Sequence, residues 1–161
     1  MINLINLYDY VLNFENLNAG KLCIFRMGFF YCSFGIQSFL PEERLGLVRT
    51  CFIPEKVCKV GIPKDAFNKY MMMLKSNNIS FCVFDYVLDN DGCDFEYNGK
   101  KYRKTIEYDS GDNCDFSKYS INCNMCKYKK NNIYQKLDMI EKILLSIKSG
   151  MSGEDKNEIN E

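Results

Sequence analysis

Apolar positions follow two different periods along the first 90 residues of the chain. Spacings of three and four residues predict helices over residues 4–12 and 66–74. Pro41, followed by two glutamates, is typical of the first turn of another helix. Short apolar runs predict strands over residues 22–25, 29–34, 57–62, 79–87 and 101–108.

Three turn signals connect these elements. A turn near Gly28 predicts that the first two strands pair antiparallel, and Asn98-Gly99 is a strong hairpin dipeptide. Asn77-Asn78 ends the second helix, since Asn tolerates the left-handed conformation. The order of strands and helices predicts an α/β fold with a mixed β-sheet flanked by helices.

Composition divides the chain into four segments. Residues 1–112 form the predicted α/β domain, and residues 113–130 form a polar, Cys-rich module to which Cys93 is added. Residues 131–148 predict an amphipathic helix, and residues 149–161 predict a disordered acidic tail. The helix carries a heptad seam of about two repeats, formed by Ile133, Leu137, Ile140, Leu144 and Ile147. Such a short seam docks either on its own domain or on a protein partner, and the sequence leaves both open.

Three short blocks of the chain carry a family resemblance. Residues 25–31 read FRMGFFY, residues 60–63 read VGIP, and residues 83–85 read VFD. They are similar to the FRMGDFYE signature, the AG(V/I)P turn and the acid-ended strand of the amino-terminal, mismatch-recognition domain of MutS DNA repair proteins. The resemblance covers residues 20–112 and implies the fold of that domain.

The resemblance implies a role for specific residues in nucleic-acid binding. Phe30 matches the aromatic residue that wedges against a mispaired base, and Cys32 stands where the family has a base-contacting Glu. Phe29 replaces the Asp that precedes the wedge. Apolar wedging exploits the weak stacking of a mispair, although aromatic residues on a strand also pack in cores. Arg26 contacts phosphate or, alternatively, pairs with an acid such as Asp85.

Several features of a MutS enzyme do not occur in this sequence. No GxxxxGK[ST] phosphate loop is present, so we expect no ATP to bind. No paired carboxylates or activated nucleophile can be named, so we expect the protein not to be an enzyme. Small MutS-like proteins of this type resemble accessory factors encoded beside reverse transcriptases in diversity-generating retroelements.

Composition limits the remaining chemistry. The 161 residues include nine Cys and no His, so a Ser-His-Asp triad or a His-ligated metal is excluded. The amino terminus lacks the features of a signal peptide, and no apolar run is long enough to span a membrane. We therefore expect a cytoplasmic protein with mostly reduced thiols and no membrane partner.

The cysteines fall into two groups. Five lie in apolar, strand-like sequence, where Cys is an ordinary small core residue. Four lie in polar sequence and include a C-x-x-C motif, which predicts a closed structural Zn²⁺ site. These predicted ligands are Cys93, Cys114, Cys123 and Cys126. A redox pair, an iron–sulfur cluster or a motif without metal are the alternatives.

Charge is balanced overall but uneven along the chain. There are 21 basic and 21 acidic residues, which argues against a uniformly basic nucleic-acid binder. Tyrosines alternate with a local group of basic residues, a pattern that suits phosphate contact and base stacking on DNA or RNA. The basic residues are Lys100, Lys101, Arg103, Lys104, Lys127, Lys129 and Lys130. An ordinary solvated surface is the alternative.

Two functional hypotheses follow from these observations. The first is a non-catalytic nucleic-acid-binding accessory protein, which recognises duplex distortion and belongs to a reverse-transcriptase ribonucleoprotein. The second is a protein-interaction adaptor, in which the MutS-like fold and the zinc module form a scaffold. Residues 131–148 would then bind a larger enzyme.

Overall fold

The computed structural model describes residue 4 and residues 6–88, 92–121, 123, 126 and 132–159; within the last range, side chains are described for 137–150. This part of the chain holds four α-helices and seven β-strands. The helices are α1 (Leu7–Leu17), α2 (Phe39–Leu45), α3 (Phe67–Ser76) and α4 (Asn132–Ile159). The strands are β1 (Leu22–Met27), β2 (Phe30–Phe34), β3 (Arg49–Phe52), β4 (Val57–Pro63), β5 (Phe81–Val87), β6 (Phe95–Tyr97) and β7 (Lys100–Tyr108).

The strands form one mixed sheet in the order β3-β4-β2-β1-β5-β7-β6. β1 and β5 pair in parallel, and the other neighbours pair antiparallel. The sheet curls far enough that Tyr97 on one edge strand donates a hydrogen bond of 3.2 Å to Glu55, which follows the other edge strand. Glu55 also accepts hydrogen bonds from the backbone N–H groups of Leu7 and Tyr8, where a carboxylate stabilises the start of α1.

Alternation along the strands gives the sheet two apolar faces, each covered by helices. One face packs against α1 and α4, and its buried strand residues include Cys23, Phe25, Cys32, Phe34, Cys82 and Phe84. The other face packs against α2 and α3, and its buried strand residues include Leu22, Ile24, Tyr31, Ile62, Phe81 and Val83. The two faces are therefore separate cores.

The structure confirms the predicted α/β class with a mixed sheet. β1 and β2 pair antiparallel around Gly28, and Asn78 has the expected left-handed conformation, with φ of 56°. The sequence does not predict β3 and β6, because four and three residues are too few to show a period. Described residues of the segment after β7 pack against the cores of the domain, and Cys114 contacts the core beneath α2 and α3. Ile121 and Cys126 of this segment are buried in the core beneath α1 and α4.

α4 packs on the domain through a face other than the predicted seam. Met139 is buried, and Lys142 forms a salt bridge of 3.0 Å with Asp9 of α1. The described seam residues are exposed, and these are Leu137, Ile140, Leu144 and Ile147. The helix continues past the predicted end at residue 148 to Ile159 and includes Gly150 and Gly153, each of which costs a helix only about 1 kcal/mol. Among the described helices, none is long and apolar enough to cross a membrane.

Candidate nucleic-acid interface

The turn between β1 and β2 exposes two aromatic rings at one end of the sheet. Met27 pairs with Phe30, so Gly28 and Phe29 form a two-residue hairpin loop. Gly28 has φ of 61°, which favours glycine and suits the first position of a type II′ turn. This tight turn places Phe29 at its tip, where the side chain is 78% exposed.

Phe30 lies beside the tip on a platform formed by β4. A Cβ atom at Gly61 would stand 3.3 Å from Cδ1 of Phe30, so the absence of a side chain lets the ring lie over this strand. The ring is nevertheless 46% exposed. The backbone N–H of Lys64 donates to the carbonyl of Phe29 at 2.9 Å, which ties the turn to the end of β4.

A charged cluster below the turn holds its first strand in place. The Arg26 guanidinium forms a salt bridge of 3.1 Å with Asp85 and donates to the carbonyl of Gly28 at 2.5 Å. Tyr31 donates its hydroxyl to the same carboxylate at 2.7 Å. Burial, together with this hydrogen bond to Asp85, raises the pKa of Tyr31. The structure therefore gives Arg26 the internal pairing with Asp85 that the sequence leaves as an alternative.

Two further tyrosines complete this support. The hydroxyl of Tyr86 accepts a hydrogen bond of 2.7 Å from the backbone N–H of Gly28. Tyr102 donates to the carbonyl of Arg26 at 2.8 Å, and its ring stacks on Phe95 with centroids 4.5 Å apart. The turn is thus fixed by hydrogen bonds at Arg26, Gly28 and Phe29, while the two phenylalanine rings face solvent.

Basic residues of β7 begin at the same end of the sheet. The Nζ atom of Lys100 lies 5.5 Å from the ring centre of Tyr86. Because Tyr86 binds the backbone of Gly28, this contact links Lys100 to the turn. Lys101 pairs in register with Val87, and Arg103 pairs with Asp85. Lys100 and Arg103 are exposed, whereas Lys101 is half-buried and stands opposite the acid Glu96.

The other predicted basic residues are placed differently. Lys104 binds the side chain of Asn18 at 2.8 Å and forms a salt bridge of 3.4 Å with Glu107, so it points towards the end of α1. Lys127, Lys129 and Lys130 lie outside the described residues. The described basic patch therefore consists of Lys64, Lys100, Lys101 and Arg103, with Lys64 added by its contact to the turn.

Cys32 is removed from any contact with a ligand. Its side chain is fully buried, and burial raises the pKa of its thiol to about 11. It points into the core beneath α1, two residues after Phe30 on the same strand. Cys32 therefore cannot contact a base, as the Glu at the matching position of MutS proteins does.

The structure does not gather the four predicted zinc ligands. Cys93 contacts the carbonyl of Phe95 at 3.1 Å, at the start of an edge strand. Cys114 packs against the core beneath α2 and α3, with its sulfur 3.5 Å from the carbonyl of Ser80. Cys126 is buried in the core on the other face of the sheet. Within the described residues, no three Cys, Asp or Glu side chains are arranged to hold a metal ion as they stand.

Four contributors to this candidate interface are not evident from the sequence. The sequence marks Phe29 only as a departure from the MutS signature, yet its ring is more exposed than that of Phe30. Tyr86 and Lys64 reach the turn through strand neighbours, which the sequence does not identify. Leu88 is fully exposed where β5 ends, at the same end of the sheet, and has no signal beyond its position after an apolar run.

Comparison with known proteins gives no family for this chain. No protein-family model matches it, and no curated protein matches it. The resemblance to MutS proteins therefore stays a prediction that depends on the short motifs at residues 25–31, 60–63 and 83–85.

Proposed function

We propose that this protein is a non-catalytic nucleic-acid-binding accessory protein that recognises distorted duplexes through the β1–β2 turn. The observation that carries the proposal is the exposure of Phe29 and Phe30 on a turn whose backbone is fixed from below. Lys64 and Lys100 lie beside the same turn, where they would contact phosphates next to a base step that a ring enters.

Exposed rings on a fixed turn are suited to stacking with bases. Each base stacked on an aromatic side chain contributes about 1–3 kcal/mol. A ring that enters a base step must also overcome stacking within the duplex, and this cost is least at a mispair. Because the turn is already ordered by hydrogen bonds, little conformational entropy is lost when the rings insert.

The charge around the turn supports contact with the phosphate backbone. The net charge of the chain is zero, so attraction to nucleic acid must come from a local patch. Arg26 is already paired with Asp85, so it supports the turn, and the exposed Lys100 is the better phosphate contact. A small patch predicts moderate affinity with clear salt dependence.

Burial of Cys32 shapes the expected specificity. MutS proteins combine an aromatic wedge with a base-contacting Glu, and this chain retains only the wedge. Selectivity must then come from how easily a base step opens. We expect mispaired and bulged duplexes to bind more tightly than matched ones, with little dependence on which bases are mispaired.

Fluorescence anisotropy with matched, mismatched and RNA–DNA hybrid duplexes tests the proposal. Replacing both Phe29 and Phe30 by Ala should weaken binding to a mismatched duplex by about 100-fold, from about 1–3 kcal/mol per base stack. Met72→Ala is the matched control, because Met72 is 70% exposed on α3 and lies outside the interface. The proposal fails if wild-type protein does not bind, or if the double variant binds as the control does.

The MutS resemblance extends the proposal to a ribonucleoprotein that contains a reverse transcriptase. Such a complex holds RNA–DNA hybrids, whose distortions the exposed turn would contact in the same way. Tighter binding to a mismatched hybrid than to the corresponding DNA duplex would support this assignment. Equal or weaker binding to the hybrid would contradict it and make DNA the preferred ligand.

A second candidate function is that of a protein-interaction adaptor. The observation that favours it is the exposed seam of α4, in which Leu137, Ile140 and Leu144 are each more than half exposed. Their spacing of three and four residues matches the pattern with which one helix packs against another. The proposed partner is an amphipathic helix of a larger enzyme, which would bind residues 131–148.

Co-purification from the native cell distinguishes this candidate. Leu137→Asp together with Leu144→Asp should release a stoichiometric partner and leave nucleic-acid binding unchanged. Lys148→Asp is the control, because Lys148 lies on the same helix and is already polar and exposed. A partner that is retained by the double variant, or a second copy of this chain in its place, would contradict the adaptor function.

A further inference from the structure

Four cysteines line one cavity between the β3–β4 hairpin and the C-x-x-C motif. The cavity has a volume of about 210 Å³ and is lined by Arg49, Thr50, Cys51, Cys58, Cys123 and Cys126. Two of these cysteines are zinc ligands in the sequence-based prediction. The other two, Cys51 and Cys58, have an apolar sequence context that predicts ordinary core residues.

Strand register brings the first pair of thiols together. Cys51 on β3 stands directly opposite Cys58 on β4. Side chains of directly opposed residues in an antiparallel pair have Cβ atoms about 4.5–5.5 Å apart. Two thiolates on such a pair can bind one cation. The two thiolates of a C-x-x-C turn do the same.

The second pair approaches from the segment that follows β7. The Sγ atoms of Cys58 and Cys126 lie 3.9 Å apart. Zinc–sulfur bonds of about 2.3 Å at tetrahedral angles place two sulfurs about 3.8 Å apart, so this pair already has the spacing of two zinc ligands. The backbone N–H of Cys126 donates to the carbonyl of Cys123 at 3.2 Å, which turns the second thiol of the motif towards the first.

We propose that Cys51, Cys58, Cys123 and Cys126 form a tetrahedral, all-thiolate Zn²⁺ site. This set differs from the one predicted by sequence, because Cys93 and Cys114 contact other parts of the fold. Soft thiolates select zinc over hard cations such as Mg²⁺, and four of them leave no open coordination position. The site is therefore structural.

The other thiols of the cavity are electrostatic neighbours of Cys58. Burial, first of all, and the neighbouring thiols of Cys126 and Cys123 raise the pKa of the Cys58 thiol to about 11. Arg49 acts in the opposite direction and lowers this pKa. Zinc binds cysteine as the thiolate, so metal binding at this cavity would release the thiol protons.

Arg49 also supplies a donor that fits charged sulfur ligands. Its Nη1 is buried, and within the described part of the chain it has no hydrogen-bond partner. Its other contacts are a salt bridge of 3.4 Å to Glu42 and a position 3.6 Å from the ring centre of Phe39. Four thiolates and one Zn²⁺ carry two net negative charges, and the half-buried guanidinium beside the cavity offsets part of that charge.

Zinc binding requires only local side-chain movement. No three ligands are yet arranged around one point among the described residues, so Cys51 and Cys123 must turn towards the pair formed by Cys58 and Cys126. Cys51 is half-buried and Cys123 is exposed, and both line the open cavity, so rotation about χ1 meets little obstruction. The bound metal would fasten the C-x-x-C motif to an edge strand of the sheet.

Metal analysis of the full chain, purified under reducing conditions, loaded with Zn²⁺ and desalted, tests the site. We expect one zinc per chain in the wild-type protein and loss of that zinc in Cys51→Ser. Cys51 is decisive because the sequence-predicted set does not contain it. Cys93→Ser and Cys114→Ser are the controls and should retain the full zinc content. Zinc retained by Cys51→Ser or lost from either control would overturn the proposal, as would wild-type protein that binds no zinc.

A measurement on the unmutated protein removes any dependence on variants that fold poorly. Alkylation with N-ethylmaleimide, followed by mass spectrometry, reports which thiols a metal protects. Zinc-loaded protein should protect Cys51, Cys58, Cys123 and Cys126 together, and a chelator should expose Cys51 and Cys123. The reactivity of Cys93 and Cys114 should not change. Protection of Cys93 and Cys114, with Cys51 reactive in the presence of zinc, would contradict the assignment.

Discussion

The β1–β2 turn and the outer face of α4 both expose large apolar side chains, but the two surfaces are supported in different ways. Phe29 and Phe30 stand on a backbone fixed by a charged cluster and two tyrosines. Ile140 and Leu144 stand on a helix that is held from its opposite face, where Lys142 binds the first helix of the domain. The turn is thus fixed at its tip, whereas the seam of α4 depends on the docking of a whole helix.

The chemistry around the two surfaces also differs. Basic residues border the turn, among them Lys64 and Lys100, and two tyrosines support it. The seam of α4 presents aliphatic side chains at helical spacing. Aromatic rings beside cations suit bases and phosphates, whereas an aliphatic seam suits another helix. Exposure alone therefore does not identify the ligand of a surface. The contacts that fix its backbone and the residues beside it do identify the kind of ligand.

The largest expected effect comes from breaking the support of the turn. Asp85→Asn removes the carboxylate charge that binds both Arg26 and Tyr31, and leaves a partly buried guanidinium without its counter-ion. We expect the free energy of unfolding, measured in urea, to fall by about 2 kcal/mol, within the range for hydrogen bonds to charged groups.

Asp65→Asn is the matched control for this change. Asp65 is exposed in the turn that follows β4, near the same end of the sheet. Its replacement should change the free energy of unfolding by less than about 0.5 kcal/mol. If both variants lose the same stability, the charged cluster does not hold the turn.

A smaller effect is expected from the contact that fixes α4. Lys142→Met leaves the carboxylate of Asp9, which is buried, without its salt bridge. We expect a loss of about 1–2 kcal/mol in the free energy of unfolding. Leu144→Ala on the exposed face should lose much less, because its side chain is 61% exposed. Equal losses from the two variants would show that the two faces of α4 are not distinct.

The same salt bridge predicts a pH dependence. Burial by itself lowers the pKa of Lys142, but the hydrogen bond and charge of Asp9 outweigh burial and raise this pKa above its ordinary value of 10.5. A raised pKa in the folded state means that the salt bridge stabilises the protein fully below pH 10.5, and that this stability disappears as the pH rises through the folded-state pKa. The stability difference between wild type and Lys142→Met should therefore shrink in strongly alkaline solution. A difference that grows with pH would contradict this sign.

The smallest effect concerns the cations beside the turn. Lys100→Gln together with Lys101→Gln should weaken duplex binding several-fold and reduce the slope of log affinity against log salt by about 1 for each phosphate interaction removed. Matched and mismatched duplexes should be weakened equally, since phosphate contacts carry no sequence information. Lys75→Gln on α3 is the control and should leave the slope unchanged. If the double variant leaves the slope unchanged, the phosphates bind elsewhere on the protein.

Local sequence patterns predict most of the fold and part of the site. Gly28 and Asn98-Gly99 mark hairpins because their conformations depend on local chemistry. From the sequence, the pairing of Arg26 with Asp85 is only one of two alternatives. It depends on β1 and β5 lying side by side, although the two strands are far apart in the chain. Cys51 cannot be recognised as a candidate ligand, since its position beside Cys58 depends on strand register.

Mapping the contact surface on the protein tests the central claim most directly. Amide chemical shifts of the isotopically labelled chain would be followed while a short DNA duplex with one mispair is added. We expect shift changes at residues 28–31, 64, 86 and 100–103, with residues 137–148 unchanged. Changes confined to α4, or a duplex that binds without affecting the β1–β2 turn, would contradict the proposed interface.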